Sequence, residues 1–533
     1  MKKSLIALAA LLLLLLAPAC AGAMRTSVLV YMSGSDLESE AASATADLRE
    51  MIAAGIASDG EITILVETGG AEKWHTDGVD RRATQIHRVT GEGLSRLETL
   101  PLRNMGDGAT LSEFLAYART HFPAQRTLLI LWGHGDGPDG GVCFDDLHDD
   151  DSLTPEEIAE ALTQAREAGQ RVDAVVLDAC LMNCADLLNA FGPCTDYIVA
   201  SQASTLSTGC NYRDWLSHLS QAPGIETGAL CARIAQGYVR TARHGAFTAS
   251  TTISVLDARR ADALWRAVEN LYARLCASLP EAQRALFAAR AALTSFDEEG
   301  PDTASNLVDA LQLCDAFESL APGECAALRA AVENAVAFCE SSGAYVGNAC
   351  GLSLYMPDAN AQRLSLLFER YRPLCKESAY ARLIVHMAEL ARDGRSGNSG
   401  HVPAVDRFHI WQGLGEARPY AGRLWAGLDE SRPYADCLRE GRDGSRPYAG
   451  RLWEGLDIPA AQRRHCTAGQ GAASPGLHIH QNARLRASGA YADSNDSGGC
   501  LQRDNPLLPQ TQRLPPMARS CASIILRTML PPM

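Results

Sequence analysis

An α/β fold built on a mostly parallel sheet is predicted by three observations in the first half of this 533-residue chain. Short apolar runs, Leu128-Leu129-Ile130-Leu131-Trp132 and Val175-Val176-Leu177, are bounded by polar or glycine-rich sequence, as strands covered on both faces are. Strand-like and helix-like stretches alternate, which puts helices on both faces of the sheet. Helix start signals fall between the strands, as at Thr154-Pro155-Glu156-Glu157, where a first-turn proline and early acids suit an N-terminus.

In order, strands are expected at 27–32, 61–66, 83–89, 127–131, 173–178, 196–201 and 250–256, with helices at 111–121 and 154–168 among them. From 258 to 341 Ala, Leu and Arg recur at helical spacing, and a last strand is expected at 351–356. Residues 226–395 thus read as mainly helical, packed on the sheet and returning at least one strand to it. The expected organisation is a signal segment at 1–23, an α/β domain at 24–257, a mainly helical region at 258–395 and a tail at 396–533.

The two ends differ in kind from the middle. Lys2 and Lys3 precede an apolar run from Leu5 to Leu16, too short for a comfortable membrane span, and Ala-x-Ala sites follow at 17–19 and 21–23. This is an export signal, so an extracytoplasmic location is expected. Cys20 is an alternative, lipoprotein-type attachment point and the one membrane anchor expected, although Ala17 stands where the usual signal has leucine. Near the other end, Arg418-Pro419-Tyr420-Ala421, Arg432-Pro433-Tyr434-Ala435 and Arg446-Pro447-Tyr448-Ala449 recur every 14 residues, shorter than a solenoid unit. The remaining tail is rich in Pro, Gly, Ser and Arg without periodicity, and disorder is expected there.

Composition narrows the function. Hydrophobic residues at 47% with 21% charged suit a large core, and a net charge of −15 argues against nucleic acid and anionic membrane surfaces as partners. Seventeen cysteines are spread singly and do not form a disulfide scaffold or a zinc spacing. Asp145, Asp146, Asp149, Asp150 and Asp151 offer oxygen ligands of the kind calcium takes, without EF-hand spacing; a solvated loop is the competing reading. No other cofactor is expected.

Chemistry concentrates at two positions. His134, in Trp132-Gly133-His134-Gly135, and Cys180, after Val175-Val176-Leu177-Asp178-Ala179, each follow a buried-type strand. In open α/β sheets reactive groups sit just past the strands' carboxyl ends. Taken singly, Cys180 reads as an inert core thiol and His134 as a turn residue. Together they form a nucleophile and a proton donor suited to acyl transfer, because a thiolate attacks a carbonyl well and imidazole protonates a departing amine near neutral pH. The amides of Gly135 and Cys180 are then candidate oxyanion donors. Cys184, four residues on, is read as a packing residue on the same face of a helix that follows the nucleophile.

These motifs carry a resemblance. Trp132-Gly133-His134-Gly135, Leu177-Asp178-Ala179-Cys180-Leu181-Met182-Asn183, the early Leu29-Val30-Tyr31-Met32 with Asp36-Leu37-Glu38, and Gly351-Leu352-Ser353-Leu354-Tyr355-Met356-Pro357 are similar to those of the clostripain-related cysteine peptidases over roughly residues 26–390. That likeness implies a caspase-like α/β/α sandwich shared with legumains and gingipains, a dyad of His134 and Cys180, and Asp178 near the pocket for the residue before the scissile bond, which in several relatives is Arg or Lys. Asp178 as a cap of the following helix is the alternative role. After the 196–201 strand relatives often carry acids, whereas this chain reads Gln202-Ala203-Ser204-Thr205, so a looser preference for Arg or Lys is expected than a pocket with two acids would show. The expectation is an exported cysteine endopeptidase acting on peptides or proteins. The alternatives are an inactive relative that presents a peptide groove, and a metal-dependent hydrolase using His134, Asp136 and the acidic loop.

Overall fold

The computed structural model describes residues 25–244, 250–296, 305–358 and 364–393; the signal segment, Cys20, the short repeats and the tail lie outside them. Thirteen strands are present among the described residues: β1 Thr26–Ser33, β2 Ile62–Gly69, β3 Ala83–Thr90, β4 Gly93–Pro101, β5 Arg126–Trp132, β6 Val142–Asp145, β7 Asp151–Leu153, β8 Ala174–Asp178, β9 Tyr197–Ala200, β10 Thr251–Asp257, β11 Leu307–Asp309, β12 Val336–Ser342 and β13 Ser353–Tyr355. Nine of them form one sheet in the order β12-β10-β9-β8-β5-β1-β2-β3-β4.

Pairing is parallel across β9-β8-β5-β1-β2 and antiparallel at both margins, where β3 and β10 run against the rest. The central strands are buried end to end, which explains their unbroken apolar runs. Their residues alternate between two cores. Leu29, Leu129, Leu131, Val175 and Leu177 face one with helices Gly108–His121, Pro155–Glu167 and Ala261–Ala292. Val28, Val30, Leu128, Ile130, Trp132 and Val176 face the other with helices Ser43–Ala53, Tyr212–Gln221 and Thr227–His244. Each fully buried Leu, Ile or Val contributes about 1.5–3 kcal/mol, so both layers are held by the hydrophobic effect. The helix expected at 154–168 spans Pro155–Glu167, with Thr154 and Glu157 closing a capping box.

The structure departs from the expectations in three places. β4 went unread because its face is largely exposed, and it lies at the sheet edge, where Pro101 is tolerated. β12 lies inside the stretch read as helical; its small and apolar residues suit either state, and antiparallel pairing with β10 decides for strand. The strand expected at 351–356 does not rejoin the large sheet: β13 pairs with β11 in a sheet of its own, and β12 is the strand the helical region returns. That region does not form a separate core, since Leu264, Val268, Leu271 and Tyr272 join the cluster that contains Leu129 and Leu177.

Candidate active site

β5 and β8 pair in parallel with Trp132 opposite Asp178, so the segments carrying His134 and Cys180 leave the sheet side by side. The Gly133 N–H donates to Asp178 O at 3.4 Å and stitches the two exits together. Beyond it the loops touch. A Cβ on Gly135 would fall 2.4 Å from Cys180 O and 3.0 Å from Cys180 N, a contact only glycine permits. The two motifs therefore meet backbone to backbone at the carboxyl edge, as expected for reactive residues of an open α/β sheet.

His134 is oriented by a residue from a third strand end. Asp36, just after β1, holds His134 Nε2 at 2.6 Å, with the side chains 23% and 15% exposed. Burial pushes the Asp36 carboxyl up, but the hydrogen bond and charge of His134, with the Leu37 N–H, outweigh it and hold the carboxyl below its ordinary value. Phe144 meets the imidazole edge-on, with ring centroids 6.4 Å apart. Glu38 serves the fold instead. Fully buried, it accepts from Thr45 N–H at 2.9 Å and from Thr45 Oγ1 and His75 N–H at 2.6 Å, fixing the 71–76 loop against helix Ser43–Ala53.

Cys180 is partly exposed, and its Sγ accepts the Thr205 N–H at 3.2 Å. The chain then turns sharply, with Leu181 at φ +65° and its N–H on Ala203 O at 3.2 Å. The helix begins only at Ala185, so Cys184 is its extended N-cap and does not share a helix face with Cys180; the left-handed turn at Leu181 is the reason. Cys184 is buried in the core, as a packing residue is. Gln202 points inward, its Oε1 accepting the Gly351 N–H at 2.7 Å, which leaves Thr205 as the residue of that segment on Cys180 Sγ.

Asp178 lies on the face of Val176, is 6% exposed, and its Oδ2 accepts the Cys210 N–H at 3.0 Å and Tyr212 OH at 2.9 Å. It makes no cap to helix Ala185–Phe191, whose N-cap is Cys184.

The acidic loop is not gathered about one point. Asp145 is buried, and its carboxylate accepts the Met105 and Leu147 N–H groups at 2.8 Å and contacts His148 Nδ1 at 3.0 Å. Asp149 and Asp150 take left-handed turn conformations, and Asp151 accepts from Asn104 Nδ2 at 2.5 Å. Burial and the nearby charges of Asp36 and Asp150 raise Asp146 to about 7. Among the described residues no three His, Cys, Asp or Glu side chains are grouped to hold a metal ion. The Asp136 N–H donates to Gly141 O at 3.0 Å, and it is Asp36 that holds the His134 ring.

With this geometry established, comparison with known proteins is decisive. The model of the clostripain family matches residues 30–382. The chain belongs to the clostripain family. Clostripain of Hathewaya histolytica is 31% identical over 127 residues, an alignment covering 20% of this chain and 23% of that protein. The fold is shared with solved structures. A secreted C11 cysteine protease from Bacteroides thetaiotaomicron, bound to an irreversible peptide inhibitor, has a TM-score of 0.50 at 18% identity, covering 67% of this chain and 99% of that one. An inactive zymogen C11 protease from Parabacteroides distasonis has a TM-score of 0.51 at 22% identity, covering 69% and 99%. Family and fold are thus those of cysteine endopeptidases, and the caspase-like sandwich expected from the sequence is the architecture observed.

Proposed function

We propose that this clostripain-family protein is an exported cysteine endopeptidase that cleaves after arginine or lysine. The carrying observation is the meeting of the His134 and Cys180 loops, with Asp36 fixing the imidazole through Nε2. With Nε2 committed, Nδ1 is the nitrogen that exchanges a proton with the reacting groups. The Cys180 thiolate attacks the scissile carbonyl carbon, and the amides of Gly135 and Cys180 stabilise the oxyanion. Collapse breaks the C–N bond, the amine leaves with the imidazolium proton, and water then hydrolyses the thioester. Peptides and proteins are the substrates, and the reaction needs no metal or other cofactor. Export is read from residues 1–23, with cleavage there favoured over lipidation at Cys20, and the relative from Bacteroides thetaiotaomicron is itself described as secreted.

Assay of peptide hydrolysis tests the reading. Cys180→Ala and His134→Ala should each remove nearly all turnover, to a similar extent because the pair acts as a unit. Asp36→Ala should lower kcat by about 100-fold, the scale of a positioned acid–base contribution. Full turnover in Cys180→Ala would overturn the assignment.

A further inference from the structure

An open groove of about 490 Å³ lies past the carboxyl end of β2, lined by Glu72, Lys73, Trp74, Asp80 and Arg81 of the loop between β2 and β3 and by Arg96 of β4. That loop is tied to the segment that orients His134. On either side of Asp36, the Ser35 N–H donates to Gly70 O at 3.1 Å, and Glu38 and Ser39 accept the His75 and Lys73 N–H groups at 2.6 and 3.1 Å. A Cβ on Gly34, two residues before Asp36, would stand 3.1 Å from the Trp74 ring. The Asp146 N–H also donates to Gly70 O, at 3.1 Å, and the Asp80 N–H to Gln85 Oε1 at 2.8 Å. The groove is therefore built before anything binds, which lowers the cost of binding.

Its charge is lopsided. Lys73, Arg81 and Arg96 are exposed, and among the described residues none of them makes an ion pair. Asp80 is already engaged by Arg82, whose Nε and Nη2 reach its two oxygens at 3.0 and 2.8 Å. Glu72 is the acid that remains. It stands toward the dyad, near enough to Asp146 for its charge to add, after burial and the charges of Asp36 and Asp150, to the rise of that carboxyl. Three cations thus face one carboxylate, with the half-buried Trp74 ring as an apolar wall between them.

Topology says which part of a substrate reaches this groove. Along the carboxyl edge of the sheet the order is Cys180 after β8, His134 after β5, Asp36 after β1 and the groove after β2. With the scissile carbonyl at Cys180 and the amine departing toward His134, the chain after the scissile bond runs across β1 toward β2. Neighbouring strands lie roughly 4.8 Å apart, so β2 is roughly 10 Å from β5, a span of roughly three extended residues. We propose, resting on the reading of this protein as a cysteine endopeptidase, that the groove is a subsite for an acidic side chain carried about two to four residues after the scissile bond. The carboxylate supplies the negative charge that Lys73, Arg81 and Arg96 lack, and charge complementarity of this kind selects among substrates.

The test measures kcat/KM of the full chain on peptides that share one sequence up to the scissile bond and carry Glu, Gln or Lys at the second, third or fourth position after it. A short substrate whose leaving group is a lone fluorescent amine is assayed beside them. At one or more of these positions Glu should exceed Gln by roughly 5-fold, the scale of ion pairs near a surface, and Lys should be poorest. The double variant Arg81→Glu, Arg96→Glu should reverse that order. Both side chains are exposed, so the fold is expected to persist, and melting curves check it. If the double variant melts early, salt carries the test on wild type: high ionic strength should shrink the preference for Glu over Gln. Equal rates for Glu, Gln and Lys at all three positions, with the short substrate cleaved, overturn the subsite and leave the endopeptidase reading standing. A preference for Glu that survives charge reversal or high salt also overturns it. Cleavage of neither the peptides nor the short substrate overturns the endopeptidase reading, and the subsite with it.

Discussion

Two sets of buried acids in this molecule are treated in opposite ways. Downstream of β10, Asp309 accepts the Leu311 and Gln312 N–H groups on one oxygen and the Cys350 N–H and Gln202 Nε2 on the other, at 2.6–3.2 Å. Asp186, upstream of β10 and also buried, accepts Tyr371 OH and Tyr380 OH at 2.9 and 2.7 Å, with Arg370 beside it. At the carboxyl edge of the sheet, Asp47 has, among the described residues, the Trp132 N–H alone, and Asp178 receives its donors from Cys210 and Tyr212 without a cation. Asp309 and Asp186 have both oxygens filled from within. Asp47 is short of donors, and neither it nor Asp178 has a cation among the described residues.

Mutation separates the two sets of acids. Asp309→Ala leaves four donors without their acceptor and should destabilise the fold by about 3 kcal/mol or more, read from chemical denaturation. Asp47→Asn removes a like-charge neighbour from Asp178 and should change stability by less than about 1 kcal/mol, with the sign toward stabilisation above neutral pH. Equal losses in the two variants would erase the distinction.

The smallest effect expected is electrostatic and belongs to Asp146, raised to about 7. An unfolded Asp titrates near 3.9, so between roughly pH 4 and 7 the folded state holds the extra proton, and stability gains as pH falls through that window. Asp146→Asn should therefore stabilise at pH 8 and be neutral near pH 4. The group is only half-buried, and solvent screening keeps the gain under about 1 kcal/mol. A pH-independent effect would remove Asp146 as its source.

Much of the frame was legible in the sequence for a physical reason. Doubly covered strands must be apolar throughout, so β1, β2, β5, β8 and β9 stood out, and the residues just past β5 and β8 followed directly. Where strands are exposed or compositionally ambiguous, as in β4 and β12, only tertiary pairing decides, and periodicity fell silent. The site divides in the same way. His134 and Cys180 carry their chemistry in local motifs. Asp36 stood within a recognised motif, but its bond to His134 spans 98 positions, and Asp47 meets Trp132 across 85. Such contacts exist only once β1, β5 and helix Ser43–Ala53 are packed. Cys184 shows the converse error, where helical spacing was read across a left-handed turn that only the folded backbone reveals.

The most direct measurement is covalent trapping: the protein is treated with a peptidyl chloromethyl ketone ending in arginine, and the modified residue is located by peptide mass spectrometry. One equivalent should attach at Cys180, ahead of the eleven other cysteines among the described residues, and attachment should slow markedly in His134→Ala. Labelling spread over other cysteines, or a rate at Cys180 indifferent to His134, would contradict the assignment of these two residues as the catalytic pair.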